Sequence, residues 1–134
     1  MISRRTILLI SGALLAIASS PAFATPRAAS EIKMYDTDAD GTVDLAEAKK
    51  AASALFAKLD RDHDGTLDKR ELLGRLSVKD LAAADPDHDG TLTMDEYLAV
   101  VEQRFKATDP DGDGTLDAKE LRTPAGRALL RLMK

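Results

Sequence analysis

Four 12-residue stretches, each opening on aspartate and closing on glutamate, recur along this chain: DTDADGTVDLAE at 36–47, DRDHDGTLDKRE at 60–71, DPDHDGTLTMDE at 85–96 and DPDGDGTLDAKE at 109–120. Only 12, 13 and 12 residues separate them. That spacing constrains the fold more than any other feature. Two loops that each had a helix running in and another running out would need two helices and a connection between them. Twelve residues make one helix of about three turns. A single helix must therefore leave one loop and enter the next, holding the two about 18 Å apart at ~1.5 Å per residue. Neighbours in sequence cannot lie side by side.

The linkers carry the matching pattern. Leu45, Ala48, Ala52, Leu55, Phe56 and Leu59 recur at three- and four-residue steps, which predicts one amphipathic helix between the first two loops. Leu98, Val101 and Phe105 form the corresponding stripe between the third and fourth. The middle linker, LLGRLSVKDLAAA, differs: Gly74 is a helix stop, and Ser77 with Asp80 three residues on reads as a fresh N-cap. The chain is expected to reverse there, setting the second loop beside the third and the first beside the fourth. The apolar eighth residues of the loops then face each other, Leu67 with Leu92 and Val43 with Leu116, as short β-bridges. Thr123-Pro124 starts a last helix with Ala128, Leu129 and Leu132 toward the core. The expected fold class is all-α, a compact bundle of about three helices with four loops at its periphery.

Where the acids lie says what the loops are for. The chain has 23 Asp and Glu, and all but Glu31, Asp80 and Glu102 fall inside the four windows. A solvated surface would scatter them; this concentration marks cation sites. With 19 Lys and Arg against those 23 acids, no basic face offers itself to nucleic acid. Cysteine is absent, which excludes disulfides and thiolate chemistry.

Each window fits the calcium-loop pattern D-x-[DN]-x-[DN]-G-x5-E of an EF hand. A hard cation takes six to eight oxygens, supplied from positions 1, 3, 5, 7, 9 and 12, the seventh through its backbone carbonyl. The candidate ligands are Asp36, Asp38, Asp40, Thr42, Asp44 and Glu47 in the first loop, and Asp60, Asp62, Asp64, Thr66, Asp68 and Glu71 in the second. The third offers Asp85, Asp87, Asp89, Thr91, Thr93 and Glu96, and the fourth Asp109, Asp111, Asp113, Thr115, Asp117 and Glu120. His63 and His88 stand at position 4, which points outward, and oxygen-seeking cations do not favour imidazole. The carboxylates are ordered as cages with no nucleophile beside them, so the chain reads as a binding protein, not an enzyme.

Residues 1–24 read as a secretory leader: Arg4 and Arg5, an apolar run over 7–17, and an A-x-A pattern ending at Ala24. The remaining chain, 25–134, is expected to form one four-loop domain in the periplasm, with no membrane segment once the leader is cleaved. Without ions, five like charges in one short loop repel, and so small a core compensates poorly. Folding is therefore expected to depend on metal.

The loop spacing, together with "DPDGDGTLDAKE", "EYLAVVEQRFKA" and the tail "TPAGRALLRLM", resembles lanmodulin, the periplasmic lanthanide-binding EF-hand family. The resemblance implies selective binding of trivalent lanthanides (La, Nd or similar), folding from a disordered metal-free form, and lanthanide handling near lanthanide-dependent alcohol dehydrogenases. A metal-accepting partner protein is implied without being identified. Position-2 proline, a feature of that family, is present as Pro86 and Pro110 but replaced by Thr37 and Arg61. Thr93 removes one charged ligand, so the third loop is expected to hold a trivalent ion least well. Two other readings stand beside this one: a periplasmic Ca2+ buffer, and a calcium-folded adaptor of the dockerin kind that docks a partner.

Overall fold

The computed structural model describes residues 26–134; the expected leader over 1–24 lies outside the described residues. In chain order the elements are α1 (Pro26–Tyr35), β1 (Val43–Asp44), α2 (Leu45–Leu59), β2 (Thr66–Asp68), α3 (Val78–Ala84), β3 (Thr91–Thr93), α4 (Met94–Thr108), β4 (Thr115–Leu116), a 3-10 turn (Glu120–Arg122) and α5 (Pro124–Leu130). Among the described residues no helix is long and apolar enough to cross a membrane.

The two 15-residue helices, α2 and α4, are bounded by the loops themselves. Asp44 caps α2 by accepting the Glu47 N–H, while the Glu47 carboxylate accepts the Asp44 N–H; Thr93 and Glu96 do the same for α4. This reciprocal arrangement satisfies two N–H groups that a helix start leaves without partners. At the other end, the Asp60 and Asp109 N–H groups donate to Phe56 and Phe105 carbonyls. Each helix thus runs from position 9 of one loop to position 1 of the next, the shared helix that the 12-residue spacing demands.

After the second and fourth loops no long helix follows. Residues 69–75 form turns, and within them Gly74 sits at a φ of +79°, a conformation that glycine adopts without steric penalty. Ser77 then caps α3 by accepting the Asp80 N–H, and the chain reverses. After the fourth loop the 3-10 turn is cut off at Thr123, whose extended ψ of 161° suits a residue preceding proline, and Pro124 opens α5. α2, α4 and α5 account for the three helices expected, and α1 and α3 add two more.

The reversal places the loops in pairs. β2 and β3 run antiparallel with Leu67 opposite Leu92, and β1 and β4 with Val43 opposite Leu116. All four of these side chains are fully buried. Both small sheets therefore pin loops distant in sequence, the second to the third and the first to the fourth.

The core lies where α2 and α5 pack on α4. Ala48, Ala52 and Phe56 of α2 and Tyr97, Val101 and Phe105 of α4 are all buried in it. Leu98, expected on the α4 stripe, is only partly buried, and Val100 is buried in addition. The difference arises because α4 is covered from two sides: its buried face widens past the narrow stripe that contact with one partner would give. Tyr97 donates its hydroxyl to the Leu132 carbonyl at 2.8 Å inside this core. Arg104 donates to the Ala128 carbonyl at 2.7 Å, and Arg75 to the carbonyls of Arg131 and Lys134. The last turn of the chain, whose carbonyls lack helical partners, is thereby tied to the turn after the second loop and to α4.

Candidate metal centres

Every loop folds around its first aspartate. The position-6 glycine N–H donates to one oxygen of that residue, Gly41 to Asp36 at 2.9 Å, Gly65 to Asp60 at 3.0 Å, Gly90 to Asp85 at 2.8 Å and Gly114 to Asp109 at 3.0 Å. The position-5 N–H donates to its other oxygen at 3.1–3.3 Å. The glycines sit at φ of +82° to +86°, where a Cβ would strain the backbone. Position 4 is left-handed as well. Ala39, His63 and His88 accept that conformation at φ of 57–62°, and the fourth loop uses Gly112 instead. Both histidines are exposed, as expected.

The threonines at position 7 were expected to contribute only a carbonyl, and their side chains prove to have another task. Thr42, Thr66, Thr91 and Thr115 each donate both N–H and hydroxyl to the position-5 carboxylate, Asp40, Asp64, Asp89 and Asp113, at 2.7–3.0 Å. Two donors on one oxygen fix the orientation of the carboxylate and leave its other oxygen free. Position 9 also does two things. Asp44, Asp68, Thr93 and Asp117 each accept the N–H of the closing glutamate, so this residue caps the exit from the loop while standing at a ligand position. The helix-start signature was visible in the sequence as S/T/D followed three residues on by Glu.

In three loops the acids at positions 1, 3 and 12 come together: Asp60, Asp62 and Glu71; Asp85, Asp87 and Glu96; Asp109, Asp111 and Glu120. In the first the converging oxygens belong to Asp36, Asp38 and Asp40. Within each group the oxygens lie within 4.8 Å of one another. Carboxylates so close cannot all ionise freely without a cation. Asp87 is raised above the ordinary carboxylate range, first by the neighbouring Asp85 carboxyl, and Asp111 likewise by Asp109. Their partners go the other way. Asp85 is lowered by the hydrogen bond with Asp87. At Asp109 burial pulls upward, but the N–H of Gly114 and the Asp111 carboxyl outweigh it. Within each pair the two carboxyls are thus pushed in opposite directions by their closeness, and a cation in that place would relieve the crowding of like charge.

A donor set of carboxylates and carbonyls, with no imidazole or sulfur, fits a hard cation.

Comparison with known proteins agrees with the geometry. The family model described as "EF hand" matches residues 53–76, 78–101 and 101–123, about half the chain, and these spans contain the second, third and fourth loops. The chain is also similar to lanmodulin of Methylorubrum extorquens, 54% identical over 69 residues that make up 50% of this chain and 52% of that protein. It thus spans about half the length of the curated relative that it matches.

Proposed function

Because this chain belongs to the EF-hand family, we propose that it is an exported periplasmic protein that holds trivalent lanthanide ions in its four loops and folds as they bind. The density of carboxylates carries this reading. The first, second and fourth loops place five at the ligand positions and the third four, and in every loop three of their oxygens converge. Attraction between a fixed carboxylate cage and an ion grows by about half from a 2+ to a 3+ charge. The cost of stripping water grows faster, roughly as the square of the charge. Only a cage with many carboxylates overcomes that cost, and these loops are close to the maximum that the motif allows. Similarity to lanmodulin supports the same cargo, and the leader-like pattern over 1–24 supports export with cleavage after Ala24. The rest, 25–134, then acts as one metal-folded domain.

Calcium is the second reading, favoured by the complete match of all four loops to the calcium-loop pattern. A dockerin-like adaptor is supported less well, since such modules carry two loops and this chain has four.

The test is a titration of metal-free protein with lanthanum, and separately with calcium, at buffered free-ion levels while far-ultraviolet dichroism follows helix content. Helix gain at much lower free lanthanum than free calcium is the expected result. A response to calcium at equal or lower concentration overturns the lanthanide reading and leaves the calcium buffer. Equal spectra with ion and with chelator overturn metal-coupled folding.

A further inference from the structure

The four closing glutamates are not held alike. Glu96 accepts the N–H of Thr93 at 2.7 Å and Glu120 that of Asp117 at 2.8 Å; Pro86 and Pro110, at position 2, have no N–H to add. Glu71 accepts two, from Arg61 at 3.0 Å and Asp68 at 3.1 Å. Glu47 accepts three hydrogen bonds: the Thr37 N–H at 2.6 Å, the Thr37 hydroxyl at 3.0 Å and the Asp44 N–H at 3.1 Å. Glu47 is also the buried one of the four, 7% exposed, and it stands outside the converging group of its own loop, whereas Glu71, Glu96 and Glu120 stand inside theirs.

We propose that Thr37 latches Glu47, and that this latch makes the first loop the last of the four to take its ion. The inference rests on the metal-binding reading above and names which residue sets the order within it. A closing glutamate serves an ion with both oxygens. Two donors from Thr37 already occupy the lone pairs of Oε1 and draw on the charge that the ion would use, so the ion must displace them or share them. Arg61, the equivalent residue of the second loop, brings an N–H to the same place but no hydroxyl. Counting carboxylates alone puts the third loop last, because of Thr93. Yet its position-9 counterparts, Asp68 and Asp117, already accept two N–H groups each on one oxygen, so the carboxylate that the third loop lacks is one the other loops use partly as a cap. Since Val43 pairs with Leu116, the first loop then fills against a fourth loop already loaded.

The four position-6 glycines give one reporter per loop. Their amides can be followed by nitrogen–proton correlation spectra of the full domain as lanthanum, which is diamagnetic, is added. Gly65, Gly90 and Gly114 are expected to reach their end points before Gly41 reaches its own. Thr37→Val removes the hydroxyl and keeps the N–H; it is expected to lower the free lanthanum at which Gly41 shifts, by roughly tenfold for one charge-assisted hydrogen bond. Thr37→Ser restores the hydroxyl and is expected to restore the wild-type free-lanthanum level for Gly41, which a merely structural role for the threonine methyl would not do. Gly41 reaching its end point with or before the others in the wild type overturns the latch alone, as does an unchanged free-lanthanum level for Gly41 in Thr37→Val. Silence at all four glycines overturns the metal-binding reading and the latch with it.

Discussion

The Phe56 ring meets that of Tyr97 edge-on, with centroids 5.6 Å apart and planes at 67°. One residue belongs to the helix shared by the first two loops, the other to the helix shared by the last two. Their contact joins the two halves of the molecule, and both rings are buried in the common core. Phe56→Ala is expected to destabilise the ion-loaded protein by about 3–5 kcal/mol, the usual loss for a large core aromatic. That is a large part of what so small a domain has. Thermal unfolding with lanthanum in excess measures it, and a change within ~0.5 kcal/mol would show that the halves do not depend on this contact.

Gly126 tests the approach of α5 to the turn after the fourth loop. A Cβ there would meet the Glu120 carbonyl oxygen and come within 2.6 Å of the Leu121 Cα. Both are backbone and cannot turn aside. Gly126→Ala is expected to lower stability by about 1–3 kcal/mol despite alanine's better helix propensity. Gly126→Ala raising the thermal midpoint would mean that α5 does not pack this closely.

Much of this was legible in the sequence, for a physical reason. Which loops pair follows from chain length: a helix of about three turns keeps consecutive loops apart, and Gly74 with Ser77 permits the reversal. The registers Leu67–Leu92 and Val43–Leu116 follow from placing one apolar residue per loop. What stayed hidden depends on distance between residues that carry no mutual signal. Lys49 reaches Glu102 across 53 positions, and Arg75 finds the carbonyls of Arg131 and Lys134. The hydrogen bonds of Thr37 to Glu47 are of the same kind: residue type permits them, but only the folded loop brings the groups together.

Glu102 supplies the pH dependence that belongs to the helix pair and not to the loops. Its carboxylate accepts from Lys49 on α2 and from Lys106 one turn along α4, both at 2.9 Å, and these hydrogen bonds hold it down at about 2 from an ordinary 4.5. A lowered folded-state value means that the contribution is complete above the ordinary carboxylate range and is lost as acid takes the pH down through about 2. Glu102 and Lys49 are about a third exposed and Lys106 is mostly exposed, so the effect is small. The gap in thermal midpoint between wild type and Glu102→Gln, read pH by pH so that protonation of the loops cancels, is expected to be widest above about pH 5 and to close toward about pH 2. A gap independent of pH would show that the charge on Glu102 contributes nothing.

Thr93→Asp completes the third loop. The substitution keeps an N-cap for α4, since aspartate caps at least as well as threonine, and Asp68 and Asp117 show that a position-9 aspartate accepts the closing glutamate's N–H at 2.9 Å. The oxygen left over adds a negative charge beside Asp85, Asp87 and Glu96, which already converge. Without an ion that charge repels its neighbours; with one it adds attraction that scales with the ion's charge. The variant is therefore expected to shift the Gly90 amide at about tenfold lower free lanthanum, ~1.4 kcal/mol, with a smaller gain for calcium. Equal gains for both ions would mean that the added oxygen acts through geometry alone and that the carboxylate count does not set the preference for higher charge.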